Sequence, residues 1–222
     1  MPEFDLFTYV IPYLLQGVPA TIQMSLFGFL LGFFLGIPFG LGRMSGDRSL
    51  SFISSAYVDA LRGTPLLVQI LLVYFGLPSL GLSFDPITAG IVAIGINSGA
   101  YQAEIVRAGI QSIPKENLES AESLGLSDFQ VIYHVVMPLA LRNILPSLTN
   151  ELITLIKESS LVSVIGVAEL TRRGEYVMAW TFMPLEVYLL VAAIYFVICF
   201  IISKASARLE KKLSIPGYIS KR

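Results

Sequence analysis

Residues 21–41 read TIQMSLFGFLLGFFLGIPFGL. The stretch holds no charged side chain. At 1.5 Å rise per residue, about 20 helical residues cross the roughly 30 Å hydrocarbon core of a bilayer. These residues are therefore expected to span a membrane as one helix. Gly28, Gly32, Gly36 and Gly40 recur every fourth residue, which puts them on one face where missing side chains admit a close neighbouring helix. Pro38 is expected to kink the inner end.

Four more apolar stretches follow: a second span from about Ser54 to Leu77, a third from about Pro86 to Val106, a fourth from about Leu145 to Val167 and a fifth from Pro184 to Ser203. The fourth is interrupted by charges and the fifth is the most apolar. Composition agrees, since 55% of the 222 residues are hydrophobic and 14% charged, while soluble domains run nearer a quarter charged. The expected fold class is all-α: one integral membrane domain, residues 1–222, with about five transmembrane helices. Cys199 is the one cysteine, which excludes an intramolecular disulfide and cysteine-held metal clusters. His134 is the one histidine, which excludes histidine-ligated metal sites. Met1 to Asp5 carries no basic residue and no small-residue cleavage site follows, so no signal peptide is expected. The formal net charge of −1 identifies no partner, and no nucleic-acid partner is expected.

Lysine and arginine placement gives the orientation. With the N-terminus outside, the inner segments hold Arg43, Arg48, Arg62, Arg107, Lys115, Arg142, Lys204, Arg208, Lys211, Lys212, Lys221 and Arg222, twelve of the 15 basic residues. Arg172 and Arg173 fall in an outer loop and Lys157 lies within a span. The chain is thus expected to be multi-pass in the cell membrane, N-terminus outside and C-terminus cytoplasmic. An odd span count then puts the stretch from Arg107 to Arg142 in the cytoplasm.

That stretch is expected to form an elbow of two short helices, residues 112–138. Pro114 suits a first helical turn, Gly125 closes the first helix, and Ser127 with Gln130 forms a capping box for the second, which Pro138 ends. Read from composition alone, an ordinary surface hairpin is the favoured reading.

Glu119-Ser120-Ala121-Glu122-Ser123-Leu124-Gly125, with Met137-Pro138 downstream, resembles the "EAA" loop of ATP-binding-cassette importer permeases. In that family Glu-Ala-Ala, three residues and Gly are followed by nine residues and Ile-x-Leu-Pro. Here Ser120, Val135 and Met137 replace an Ala, the Ile and the Leu, and the spacing is kept. The stretches 61–69 (LRGTPLLVQ), 100–114 (AYQAEIVRAGIQSIP) and 157–166 (KESSLVSVIG) resemble the polar amino-acid branch of these permeases. The resemblance implies a permease subunit that pairs with a same or related chain, ATPase subunits beneath it that hold ATP and magnesium, and an external solute-binding protein. It implies an amino-acid solute of polar, basic type. It also implies that Glu119, Ser120, Ala121, Leu124, Gly125 and Pro138 belong to the contact with the ATPase.

Ionisable residues deep in a bilayer cost at least ~2.5–3.5 kcal/mol and point to function. On a helix turning about 100° per residue, Asn150, Lys157, Thr154, Ser147, Glu158 and Glu151 share about a third of the circumference of the fourth span. Asn97, Tyr101 and Glu104 share one face of the third. Either these faces line a water-accessible solute path, or Lys157 pairs with Glu151 or Glu158 and Glu104 pairs with Arg107 as structural ion pairs. Glu151 and Glu158, about 10 Å apart along the helix, would suit a cationic side chain, and Lys157 an α-carboxylate; a neutral polar amino acid is the alternative. Asp59 and Arg62 are expected to pair within their helix. Trp180, Phe182 and Tyr188 suit an aromatic belt.

Two rivals remain. A gradient-driven carrier would transport solute without a partner. An intramembrane enzyme would need a nucleophile with a base or metal, which His134 and Cys199 do not supply. No lysine is followed by Ser or Thr, so the phosphate-cradling G-x-x-x-x-G-K-[ST] loop is absent. The purified chain alone is expected to show no saturable ATP hydrolysis; turnover by a homogeneous preparation would contradict the expectation.

Overall fold

In hydrocarbon every backbone N–H and C=O needs a partner within the protein. The computed structural model, which describes residues 9–213, meets that demand with helices, and no strand occurs among the described residues. Met1 to Asp5, Lys221 and Arg222 lie outside the described residues. α1 (Ile11–Leu15) leads into α2 (Val18–Arg43), followed by α3 (Arg48–Arg62), α4 (Leu66–Leu71) and α5 (Pro86–Gln111). The elbow holds α6 (Lys115–Ser123) and α7 (Asp128–Val131), and α8 (Met137–Glu158), α9 (Leu170–Thr181) and α10 (Pro184–Leu213) complete the chain.

The α2–α5 pair is the most extensive contact in the molecule, and the glycine stripe is its cause. A methyl group on Gly28 would lie 2.6 Å from Cγ2 of Ile94, one on Gly36 2.7 Å from Cβ of Gln102, and one on Gly40 2.7 Å from the Ala103 carbonyl oxygen. Gly95 and Gly99 of α5 answer by admitting Leu31 and Leu35 of α2. The close neighbour that the spacing predicts is thus α5 of the same chain, and the stripe gives no reason for a second subunit.

Ile11–Arg43, Asp128–Ile165 and Pro184–Lys211 are each long and apolar enough to cross a membrane. α5, with 26 residues, is about 39 Å long, enough to cross as well, but it is more polar than those three. Its Asn97, Ser98 and Gln102 are buried against neighbouring helices, which keeps them from lipid. The second span is not one helix. Arg48–Arg62 and Leu66–Leu80 are bent by 102° at the break between them. Pro65 lacks an N–H and drives Thr64 out of helical geometry, so the helix must stop.

Two expectations about the elbow fare differently. α6 ends with the Leu126 N–H bonded to the Ala121 carbonyl and the Gly125 N–H to that of Glu122, and Gly125 has φ +79°. That is the left-handed closure in which glycine is favoured. The Ser127 N–H bonds Oε1 of Gln130 at 2.9 Å, as a capping box requires. Pro138, however, does not end the second helix: helical turns continue from Asp128 to Ile165. A wider turn over Ile132–Val136, in which the Met137 N–H bonds back to the Ile132 carbonyl, shifts the register ahead of Pro138. Such a turn absorbs the missing donor and ring clash that a proline brings to a helix. The fourth span therefore begins well before Leu145. It tightens after Glu158 into a narrower helical stretch, Ser159–Ile165.

Arg172 and Arg173 sit on α9 rather than in a loop. The buried Glu169 carboxylate starts this helix by accepting the N–H groups of Thr171 at 2.8 Å and Arg172 at 2.7 Å, with the Tyr195 hydroxyl donating at 2.9 Å. Trp180, Phe182 and Tyr188 are exposed, as an aromatic belt needs.

Overpacking the seam should be measurable. Gly32→Ile is expected to lower the thermal unfolding midpoint of the detergent-solubilised chain by several degrees, since overfilling a packed site costs ~1–3 kcal/mol. Gly46→Ala, where an added methyl meets nothing within 4 Å, should not. Equal midpoints for the two variants would contradict the seam.

Candidate functional site

The break in the second span leaves carbonyls at the end of α3 without helical partners. Gln69 of α4 turns back to them, its Nε2 donating to the Leu61 carbonyl and to Oγ1 of Thr64, each at 2.8 Å. Asn97 of α5 holds Gln69 in place, donating to its Oε1 at 3.0 Å and reaching the Leu61 carbonyl at 3.3 Å. The buried Asn97 therefore braces the break.

Glu104 lies at the centre of an arginine cluster. Arg43 approaches its carboxylate at 2.7 Å, Arg107 at 2.8 Å and Arg62 at 3.7 Å, tying α2, α3 and α5 together. The Glu104–Arg107 pair offered as the structural alternative is present, with two further partners. Asp59 pairs with Arg43 at 3.4 Å instead of Arg62, because Arg62 is drawn to Glu104 and over the Tyr101 ring, 5.2 Å from its centroid. Tyr101 is exposed.

On α8 the polar stripe divides by direction. Ser147, Asn150 and Lys157 are exposed, whereas Thr154, Glu151 and Glu158 are half-buried towards the rest of the chain. Leu155 and Ile156 form the packed side. Glu151 accepts a 2.7 Å hydrogen bond from Ser98 of α5. Among the described residues, Lys157 forms no ion pair within 4.0 Å with Glu151 or Glu158. Among the described residues no hydrogen bond or ion pair joins Asn97, Tyr101 or Glu104 to the α8 stripe. Ser98, which turns towards α8, makes the contact.

Three residues here escaped the sequence reading. Ser98 and Gln102, four apart on one face of α5, carry a helical spacing that could have revealed them. Gln69 stands four residues after Pro65, where a side chain can reach back over a break.

The elbow exposes part of the set expected at the ATPase contact. Glu119, Ser120 and Gly125 are exposed, Ala121 is buried against the second half of the elbow, and Pro138 is half-buried in the first turn of α8. Leu124 is 83% and Phe129 76% exposed, a large apolar surface for one short hairpin. The Phe129 ring stacks with that of Tyr133 at 6.3 Å.

Residues 28–215 match the family described as binding-protein-dependent transport system inner membrane component. The chain is 42% identical over 207 residues to the glutamine transport system permease protein of Escherichia coli (strain K12), covering 92% of this chain and 94% of that one. It is 39% identical over 204 residues to the arginine transport system permease protein of Bacillus subtilis (strain 168), covering 91% and 93%. With the L-cystine transport system permease protein of the same organism, identity is 37% over 211 residues, covering 95% and 89%. The crystal structure of an amino acid ABC transporter with histidines superposes with TM-score 0.88 at 39% identity, covering 96% of this chain and 99% of that one. The inward-facing MetNI methionine ABC transporter shares the fold, with TM-score 0.77 at 22% identity over 94% of this chain and 99% of that one. This chain belongs to the binding-protein-dependent transport system inner membrane components, the permease part of ATP-binding-cassette importers, and is not itself an enzyme.

Proposed function

We propose that this chain forms half of the translocation path of an ATP-driven importer of polar amino acids, with cationic ones preferred. The observation that carries the reading is the state of the α8 stripe. Among the described residues neither Glu151 nor Glu158 has an ion pair within 4.0 Å, and Asn150 and Lys157 stand exposed on a helix too apolar elsewhere to lie outside the bilayer. A lysine turned to lipid costs at least ~2.5–3.5 kcal/mol, so this face meets water and a second permease chain, of the same or related sequence, across a shared path. Glu151 and Glu158 stand about 10 Å apart along α8, comparable to an extended basic amino acid, and Lys157 meets the α-carboxylate. Thr154 and Asn150 border the path on α8, with Asn97, Tyr101 and Glu104 bracing its α5 side. Relatives named for glutamine, arginine and cystine agree with a polar amino acid. Lys157 on the same stripe favours a neutral solute such as glutamine as the second reading.

The elbow, residues 112–138 of one permease domain, carries the drive. Its exposed Leu124, Phe129 and Tyr133 present an apolar surface for ATPase subunits, which bind ATP and magnesium. The basic-residue bias supports an elbow in the cytoplasm, an N-terminus outside, and an external binding protein delivering solute to the opposite face.

Two outcomes test this. In reconstituted importer, Glu151→Gln and Glu158→Gln should each lower the arginine-to-glutamine uptake ratio about tenfold, the worth of one charge-assisted hydrogen bond. An unchanged ratio in both variants would remove these carboxylates from the solute site. A Cβ on Gly125 would meet no neighbour within 4 Å, yet Gly125→Val forces a β-branched residue to positive φ, a strain of ~1–2 kcal/mol. It should cut ATP-coupled uptake while leaving the transmembrane helices folded by circular dichroism. Full coupled uptake by the assembled variant would contradict the role of the elbow.

A further inference from the structure

Gln102 is fully buried between α2 and α5, where a methionine or leucine would fill the same space without a polar atom. The chain accommodates it at visible cost. Gly32 and Gly36 are the two positions of α2 that face it: a methyl on Gly32 would lie 2.8 Å from its Nε2, and one on Gly36 2.7 Å from its Cβ. Its Oε1 has no hydrogen-bond partner, which buried polar groups ordinarily avoid. Its Nε2 donates to the Phe29 carbonyl of α2 at 3.0 Å and to the Ser98 hydroxyl oxygen at 3.0 Å.

The second of those bonds fixes a direction. A helical serine commonly turns its hydroxyl back onto the carbonyl one turn earlier. Ser98 instead accepts from Gln102 and gives its one proton to Oε1 of Glu151 at 2.7 Å. No other hydrogen bond to Glu151 occurs among the described residues, so Oε2 stays open. A carboxylate with one oxygen held and the other free is oriented towards a cation without being neutralised.

We propose that Ser98 and Gln102 are positioning residues of the solute path, a buried relay from the backbone of α2 through α5 that aims the Glu151 carboxylate. The inference rests on the reading of Glu151 as solute-facing. It gives the polar Gln102 a purpose that packing does not supply. It also accounts for Gly32 and Gly36 as positions that make room for a glutamine as well as for a helix.

The test uses the assembled permease–ATPase complex, with L-arginine and L-glutamine binding followed by calorimetry. Ser98→Ala and Gln102→Met should each weaken arginine binding about tenfold, as expected for loss of a hydrogen bond to a charged group. Glutamine binding should change by less than about threefold, and Ser98→Thr, which keeps the hydroxyl, should recover most of the arginine affinity. Thermal midpoints identify any variant that fails to assemble; if Gln102→Met does, the Ser98 pair decides. Equal weakening of both solutes would mean that the relay is structural, which overturns the proposal. Unchanged arginine binding in Ser98→Ala, with Glu151→Gln weakening it, overturns the relay and leaves the Glu151 site standing. Unchanged binding in Glu151→Gln as well overturns the site beneath it.

Discussion

Between α2 and α5 there is no room for a methyl group along four successive turns, because the side chains and backbone of α5 already occupy the places where Cβ atoms on Gly28, Gly32, Gly36 and Gly40 would stand. Small residues allow such contact where no hydrophobic effect draws helices together. The remaining geometry follows from it. With α5 held at the centre of the chain, its polar residues must be satisfied by neighbours rather than by water. Asn97 meets Gln69 across the broken second span, Ser98 meets Glu151 on α8, and Glu104 gathers Arg43, Arg62 and Arg107. Apart from Arg107, which lies on α5 itself, these partners fasten α2, α3, α4 and α8 to α5.

The same arrangement separates rigid parts from working parts. The arginine cluster and the Gln69 brace saturate their polar groups, so they hold helices in place and leave little capacity for a ligand. The α8 stripe is unsaturated, with one Glu151 oxygen free and Lys157 beyond ion-pair distance of either carboxylate. In an apolar medium such groups need a partner from outside the chain, the place that the proposed second permease chain, water and solute would take. At the end of the same continuous helical stretch, the elbow exposes Leu124 and Phe129. A push on the elbow therefore has a direct mechanical route to the stripe.

Much of this was legible in the residues, because bilayer thickness and helical rise leave few ways to place apolar runs. The closure at Gly125 was readable because its neighbours supply both bonds of the motif. The glycine spacing announced a close approach but could not name the neighbour, since a stripe specifies a face and not its occupant. The break at Pro65 was hidden by hydropathy, which sums apolar residues and is blind to direction. Pro138 misled because the wide turn that relieves it has no sequence mark. The third-span polar face was drawn from one helix alone, while the groups that engage it, Arg43, Arg62 and Gln69, come from three others. Ser98 and Gln102 went unnoticed because, at about 100° per residue, they lie off the face that Asn97, Tyr101 and Glu104 share.

The central claim is that the exposed α8 face borders a watery path that holds solute. It can be measured by replacing Asn150 with cysteine in a Cys199→Ala background and reacting the assembled transporter with a water-soluble, membrane-impermeant thiol reagent. Asn150→Cys should react, and L-arginine should slow the reaction, whereas Phe200→Cys, on an exposed apolar part of α10, should react little with or without solute. An Asn150→Cys variant as inert as Phe200→Cys would mean that this face lies against lipid or packed protein, and the path would have to be sought elsewhere.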